Sequence, residues 1–156
     1  MRNRLCFLLA GMKRRFLLHV DDDPDLAFLL ERGLSVSGIS NWSFQFIEGG
    51  AAALEYLERV KAGKAEAPTL LLLDIKMPKV NGFDVLQWVN QNLPGIAAVM
   101  LSSSELIEDR LRARDLGSKG YFSKATIFTE LFEFLRAWDE TAFAHRDDVT
   151  EVNGKQ

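Results

Sequence analysis

Residues Thr69–Leu73 carry four leucines in a row and end on Asp74. The run is too short for a core helix and reads as a strand. A strand that is apolar on both faces belongs inside a parallel sheet covered on each side. Parallel neighbours need crossover connections, and the chain supplies them. Phe16–Val20 is a second short apolar run, closed by Asp21-Asp22-Asp23. Trp42–Ile47 sets Trp42, Phe44 and Phe46 against Ser43 and Gln45, the alternation of a strand. Ile96–Leu101 runs into Ser102-Ser103-Ser104, and Tyr121-Phe122 continues a short strand from Gly120 to Lys124.

Between these runs lie segments with helical spacing. Asp23 reads as an N-cap and Pro24 as the first helical residue, followed by a stripe of Leu26, Leu29, Leu30 and Leu34. Ala51–Val60 points Leu54, Tyr56 and Leu57 inward, and Phe83–Val89 does so with Val85, Leu86 and Val89. Glu105–Leu116 is a charged helix with Ser104 as its cap and Gly117 at its end. Thr126–Trp138 is the last helix. Five strand–helix units in one order predict an α/β domain built on a parallel sheet with right-handed crossovers.

Composition narrows the function. The chain has 156 residues, 47 % apolar, which suits one domain with a real core and excludes overall disorder. A net charge of -3 lacks the basic footprint of a dedicated nucleic-acid binder. The single cysteine, Cys6, excludes an internal disulfide and a cysteine metal site; His19 and His145 are too few and too far apart for a histidine-rich one. No apolar run approaches the ~20 residues of a membrane span. Leu5–Gly11 is at the lower limit for a signal sequence and meets Lys13-Arg14-Arg15 without a cleavage site. Residues 1–13 are therefore expected to be a flexible extension, unless Met12 is the natural start and residues 1–11 precede it. Residues 14–144 are expected to form the domain and 145–156 a polar tail, with the cytoplasm as the location.

In such sheets the site lies where the strands end. Strand 1 ends on Asp21-Asp22-Asp23, strand 3 on Asp74, strand 4 on Ser102-Ser103-Ser104 and strand 5 on Lys124. Alone, each has a bland reading: helix capping, a turn, a polar loop, a surface lysine. Their joint placement carries the argument. Carboxylates ~4 Å apart repel by ~4 kcal/mol at an effective dielectric near 20, so the cluster must protonate, pair with lysine or bind a cation. All-oxygen ligation favours a hard ion such as Mg²⁺. Lysine and serine can hold a phosphoryl oxygen, with Asp74 as the candidate nucleophile.

The stretches FLLHVDDDPD, LLLLDIKMPKVNGFDVL, VMLSSS and GYFSKA resemble the receiver domain of two-component response regulators, the CheY-like fold. The likeness covers roughly Arg14 to Trp138 and centres on Asp74, Met77, Pro78 and Gly82. It implies a doubly wound, flavodoxin-like sheet of five parallel strands in the order 2-1-3-4-5. It also implies phosphorylation of Asp74 by a histidine kinase. Asp21, Asp22, Asp74 and the Lys76 carbonyl would hold Mg²⁺, Ser102 and Tyr121 would act as the switch, and Lys124 would complete the catalytic set. Lys76 and Ser104 would tune the lifetime of the phosphoryl group. Such a protein is a phospho-acceptor that assists its own modification and slow dephosphorylation, not a turnover enzyme. An aspartyl phosphatase is disfavoured because Lys76 stands where its second aspartate would be.

One departure is clear: the family has Lys-Pro with a cis bond where this chain has Lys124-Ala125. Without proline a cis bond costs about 3 kcal/mol, so a trans bond and a shifted loop are expected. The missing proline is what favours the alternative, a receiver-like adaptor that binds constitutively. The segment ALEYLERVKAGKAEAP is similar to stand-alone receivers that partner phytochrome-type kinases, and a stand-alone receiver is expected, with only a polar tail after Trp138. Phe128, Phe132 and Phe134 widen the apolar arc of the last helix. They read as a large buried face or as an edge for dimerisation or docking.

Overall fold

The computed structural model describes residues 14–147 of the chain. Within them lie β1 (Arg15–Asp21), α1 (Pro24–Val36), β2 (Trp42–Glu48), α2 (Gly50–Lys61), β3 (Leu70–Asp74), α3 (Gly82–Asn92), β4 (Ala97–Ser102), α4 (Ile107–Asp115), β5 (Tyr121–Ser123) and α5 (Ile127–Asp147). The strands form one sheet in the order β2-β1-β3-β4-β5, every neighbouring pair parallel. This is the expected doubly wound architecture.

Alternation along the strands splits the core in two. Leu18, Val20, Leu71, Leu73 and Met100 face α2 and α3, packing on Ala53, Leu57, Val85, Leu86 and Val89. Leu17, Leu70, Leu72, Val99 and Leu101 face α1 and α5, packing on Leu30, Leu34, Ile127, Leu131 and Leu135. All five residues of β3 are buried, as a central strand requires. Chain order reverses between β1 and β3, which opens the crevice where their ends meet.

Several local expectations change. Leu29 is 49 % exposed, and Ala27 takes its place in the buried stripe with Leu30 and Leu34. The α4 helix begins at Ile107, two residues later than expected, with Leu106 at the N-cap position. Ser104 does not cap it as an N-cap residue; its Oγ accepts from Leu106 N in the preceding turn. The last helix runs past Trp138 and the expected boundary at 144, to Asp147. Residues 1–13, with Cys6 and Met12, and residues 148–156 lie outside the described residues.

The aromatic arc of α5 divides. Phe134 packs edge-on against Phe122 and lies beside Trp138, at 5.4 and 5.7 Å between ring centres. Phe132 lies over Gly33 of α1, whose bare backbone makes room for the ring. Phe128 alone of the three is exposed, at 40 %. Among the described residues no helix is long and apolar enough to cross a membrane.

Candidate functional site

β1 delivers Asp21 and Asp22 to the crevice, and the turn after β1 fixes the first of them. Asp21 Oδ1 accepts from Asp23 N at 3.0 Å. Asp23 then caps α1, accepting from Asp25 N and Leu26 N, with Pro24 opening the helix. Asp74 ends β3. The loop after it is drawn tight by Gly82 N donating to Ile75 O and by a capping box between Asn81 and Asp84. Gly82 is needed there, because a Cβ would collide with the Asp74 carbonyl.

These strand ends bring the acids together. Asp21, Asp22 and Asp74 each offer a carboxylate oxygen, and the three oxygens lie within 4.8 Å of one another. Asp21 and Asp74 are buried, whereas Asp22 is exposed. Lys124, at the end of β5, reaches both buried acids: Nζ is 2.9 Å from Asp21 Oδ2 and 3.2 Å from Asp74 Oδ1. Its backbone N–H donates to Ser102 O, so β4 fixes where the lysine starts. No described peptide bond is cis, so Lys124–Ala125 is trans as expected. The absent proline does not keep the ammonium from the acids.

Electrostatics follow from this crowding. Burial pushes the Asp74 carboxyl up to about 6, aided by the negative charge of Asp21 and partly offset by Lys124. Burial would also raise Asp21, but contacts from His19 and Lys124 outweigh it and hold that carboxyl well below the ordinary carboxylate range. Burial by itself would lower Lys124, yet the two aspartates raise it. The site thus has one firmly ionised acid, one reluctant one, and more negative than positive charge. An all-oxygen donor set with surplus negative charge fits a hard divalent cation.

The hydroxyl side is also organised. Ser102 is buried, and its Oγ accepts from Ser104 N at 2.9 Å. Tyr121 OH donates to Ser104 O at 3.0 Å, so both side chains grip the same residue. The Arg110 guanidinium lies 4.6 Å from the centre of the Tyr121 ring. Ser104 is therefore held by its backbone, and the Lys76 side chain points to solvent at the rim. Composition gave no hint of two contacts: Arg110 on Tyr121, and His19 against Asp21 at 3.3 Å. As a residue type His19 suggests only a metal ligand, although strand alternation places it on the face of Asp21.

The model of the response regulator receiver domain matches residues 17–136. The chain belongs to that family. The receiver is 28 % identical over 137 residues to the probable transcriptional regulatory protein TcrX of Mycobacterium tuberculosis, covering 88 % of this chain and 53 % of that protein. It thus spans about half the length of that curated relative. Among solved structures it is similar to the Mn²⁺-bound form of the response regulator Rcp1, with TM-score 0.66 and 26 % identity over 79 % of this chain and 90 % of that one. It is also similar to the phosphorylated cyanobacterial phytochrome response regulator RcpA, with TM-score 0.67 and 25 % identity over 81 % and 92 %. Receiver domains are the phospho-accepting modules of two-component systems.

Proposed function

We propose that this receiver takes a phosphoryl group from the phosphohistidine of a histidine kinase onto Asp74, and signals through a change of its surface. The observation that carries the reading is the meeting of Asp74 with Asp21, Asp22 and Lys124 at the strand ends. A carboxylate oxygen of Asp74 attacks phosphorus, a P–O bond forms, the P–N bond breaks, and the kinase imidazole leaves as the neutral ring, keeping the proton already on its other nitrogen. Lys124 holds a phosphoryl oxygen, and the Ser102 hydroxyl turns to donate to another. Asp21, Asp22 and Asp74, with the Lys76 carbonyl, would hold Mg²⁺. When bound, that ion offsets the charge of the acids and of the incoming phosphoryl group. Recruitment of Ser102 releases Ser104 N, and Tyr121 follows through the Ser104 carbonyl it already engages. The likeness to RcpA supports a phytochrome-type kinase as donor.

Incubation with acetyl phosphate and Mg²⁺, followed by intact-mass measurement, tests this. A gain of one phosphoryl group in the wild type, absent in Asp74→Asn, is expected. An unmodified wild type would sink the reading and leave the constitutive adaptor.

A further inference from the structure

Among the described residues the buried polar or charged side chains are Asp21, Asp74, Ser102 and His19. The first three belong to the acceptor site. His19 shares its face of β1 with Leu17 and Asp21, and pairs in register with Phe46 on β2 and Leu72 on β3. Its ring lies against Phe44 and Phe46, at 6.1 and 5.5 Å between centres. A leucine would fill such a place with no polar atom to satisfy.

Neither Nδ1 nor Nε2 of His19 has a hydrogen-bond partner, although both are buried. Unpaired buried polar atoms are costly. Among the described residues His19 has an ion-pair contact with Asp21, whose Oδ2 lies 3.3 Å from Nε2 without forming a hydrogen bond. A neutral imidazole carries a single N–H. On Nε2 that proton lies beside a carboxylate; on Nδ1 it has no hydrogen-bond partner among the described residues. A small turn of either side chain completes the bond. Asp21 is otherwise held by Lys124 at both oxygens and by Asp23 N at Oδ1.

We propose that His19, as its Nε2–H tautomer, is a positioning residue that fixes the Asp21 carboxylate from within the sheet and so sets the affinity of the Asp21–Asp22–Asp74 cluster for a divalent cation. The inference rests on the reading that this cluster takes such a cation. Partners that orient a metal ligand typically contribute ten- to a hundred-fold in affinity.

The test is Mn²⁺ affinity, read from the electron paramagnetic resonance signal of free Mn²⁺, for the full chain and for His19→Leu and His19→Gln. Leucine should weaken binding on the order of ten-fold. Glutamine, whose amide N–H can take the place of Nε2–H, should restore most of it. Leucine matching the wild type, or glutamine no better than leucine, would show that His19 only fills space. Nitrogen-15 resonance of the wild-type imidazole serves if a variant fails to fold. A proton on Nε2 and a resonance that moves on adding Mg²⁺ are expected; a proton on Nδ1, or an unmoved resonance, overturns the proposal. A wild type that takes up no Mn²⁺ overturns the cation reading as well, whereas binding that is equal in all three proteins overturns only the role of His19.

Discussion

Asp74 is ionised at neutral pH against its surroundings. Burial and the nearby charge of Asp21 raise its carboxyl from 3.8 to about 6, a rise equivalent to about 3 kcal/mol when the group is fully charged. That cost is the reverse side of its reactivity, since a carboxylate that is poorly stabilised by its site gains most from bonding to an electrophile or a cation. Asp74→Asn removes the charge and keeps the shape. In Mg²⁺-free buffer at pH 7 it is expected to raise stability in urea by up to about 3 kcal/mol, while abolishing phosphorylation. A variant less stable than the wild type would mean that the Lys124 contact outweighs burial. His19 shows the same principle from another side: its importance lies in what it touches, and nothing in its residue type announced the contact.

Elements meet at two glycines that have opposite tolerance. Gly82 opens α3 directly against the Asp74 carbonyl, and backbone cannot give way as a side chain can. Gly82→Ala is expected to cost 1–3 kcal/mol or more in urea unfolding, at about the upper end of overpacking, and to impair modification of Asp74. Gly33, inside α1, meets side-chain ring atoms, the tip of Phe132 closely and Phe128 at ordinary contact distance. There the gain in helix propensity, about 1 kcal/mol, opposes a mild clash, so Gly33→Ala is expected to fall within about 1 kcal/mol of the wild type. If the two variants unfold alike, the close approach of α3 to β3 is not what positions the acid. Helix starts were legible where a cap was present, as at Asp23 and Pro24. The start of α4 was not, because Ser104 is held by Ser102 and Tyr121 through contacts that only the folded sheet creates.

For the molecule as a whole, the two buried acids pull stability in opposite directions with pH. Asp74 has a raised folded value, so the folded form binds its proton more tightly than the unfolded chain does. Stability from this group increases as pH falls from about 7 through 6 towards 3.8. Asp21 has a depressed folded value, so its contribution is present above 3.8 and is lost as pH falls below it. Urea unfolding of the metal-free protein should therefore show greater stability near pH 5 than at pH 7, with a decline below about 4. A curve that rises steadily to pH 7 would show that Asp74 is not buried as a charged group. The outer surface keeps apolar side chains exposed, with Leu106, Ile107 and Leu111 along α4 beside the Arg110–Tyr121 stack. Ser104 lies between that surface and the buried Ser102, its N–H donating to Ser102 Oγ and its carbonyl accepting from Tyr121 OH.

The sequence by itself determined the alternation of strands and helices, the fully buried β3, and the acids, hydroxyl and ammonium that end the strands. These are local properties: apolar periodicity, capping residues and chain order survive without knowledge of distant contacts. Leu29 is exposed because the stripe of α1 that packs inward is Ala27, Leu30 and Leu34, a choice between overlapping apolar stripes that helical spacing alone leaves open. Only the tertiary structure decided that Lys124 bridges Asp21 and Asp74 despite the missing proline, that Phe134 belongs to the core while Phe128 does not, and that His19 lies under Asp21. Each depends on side chains from different elements meeting in a dry interior, where distance and desolvation, rather than residue type, set the charge and the energy.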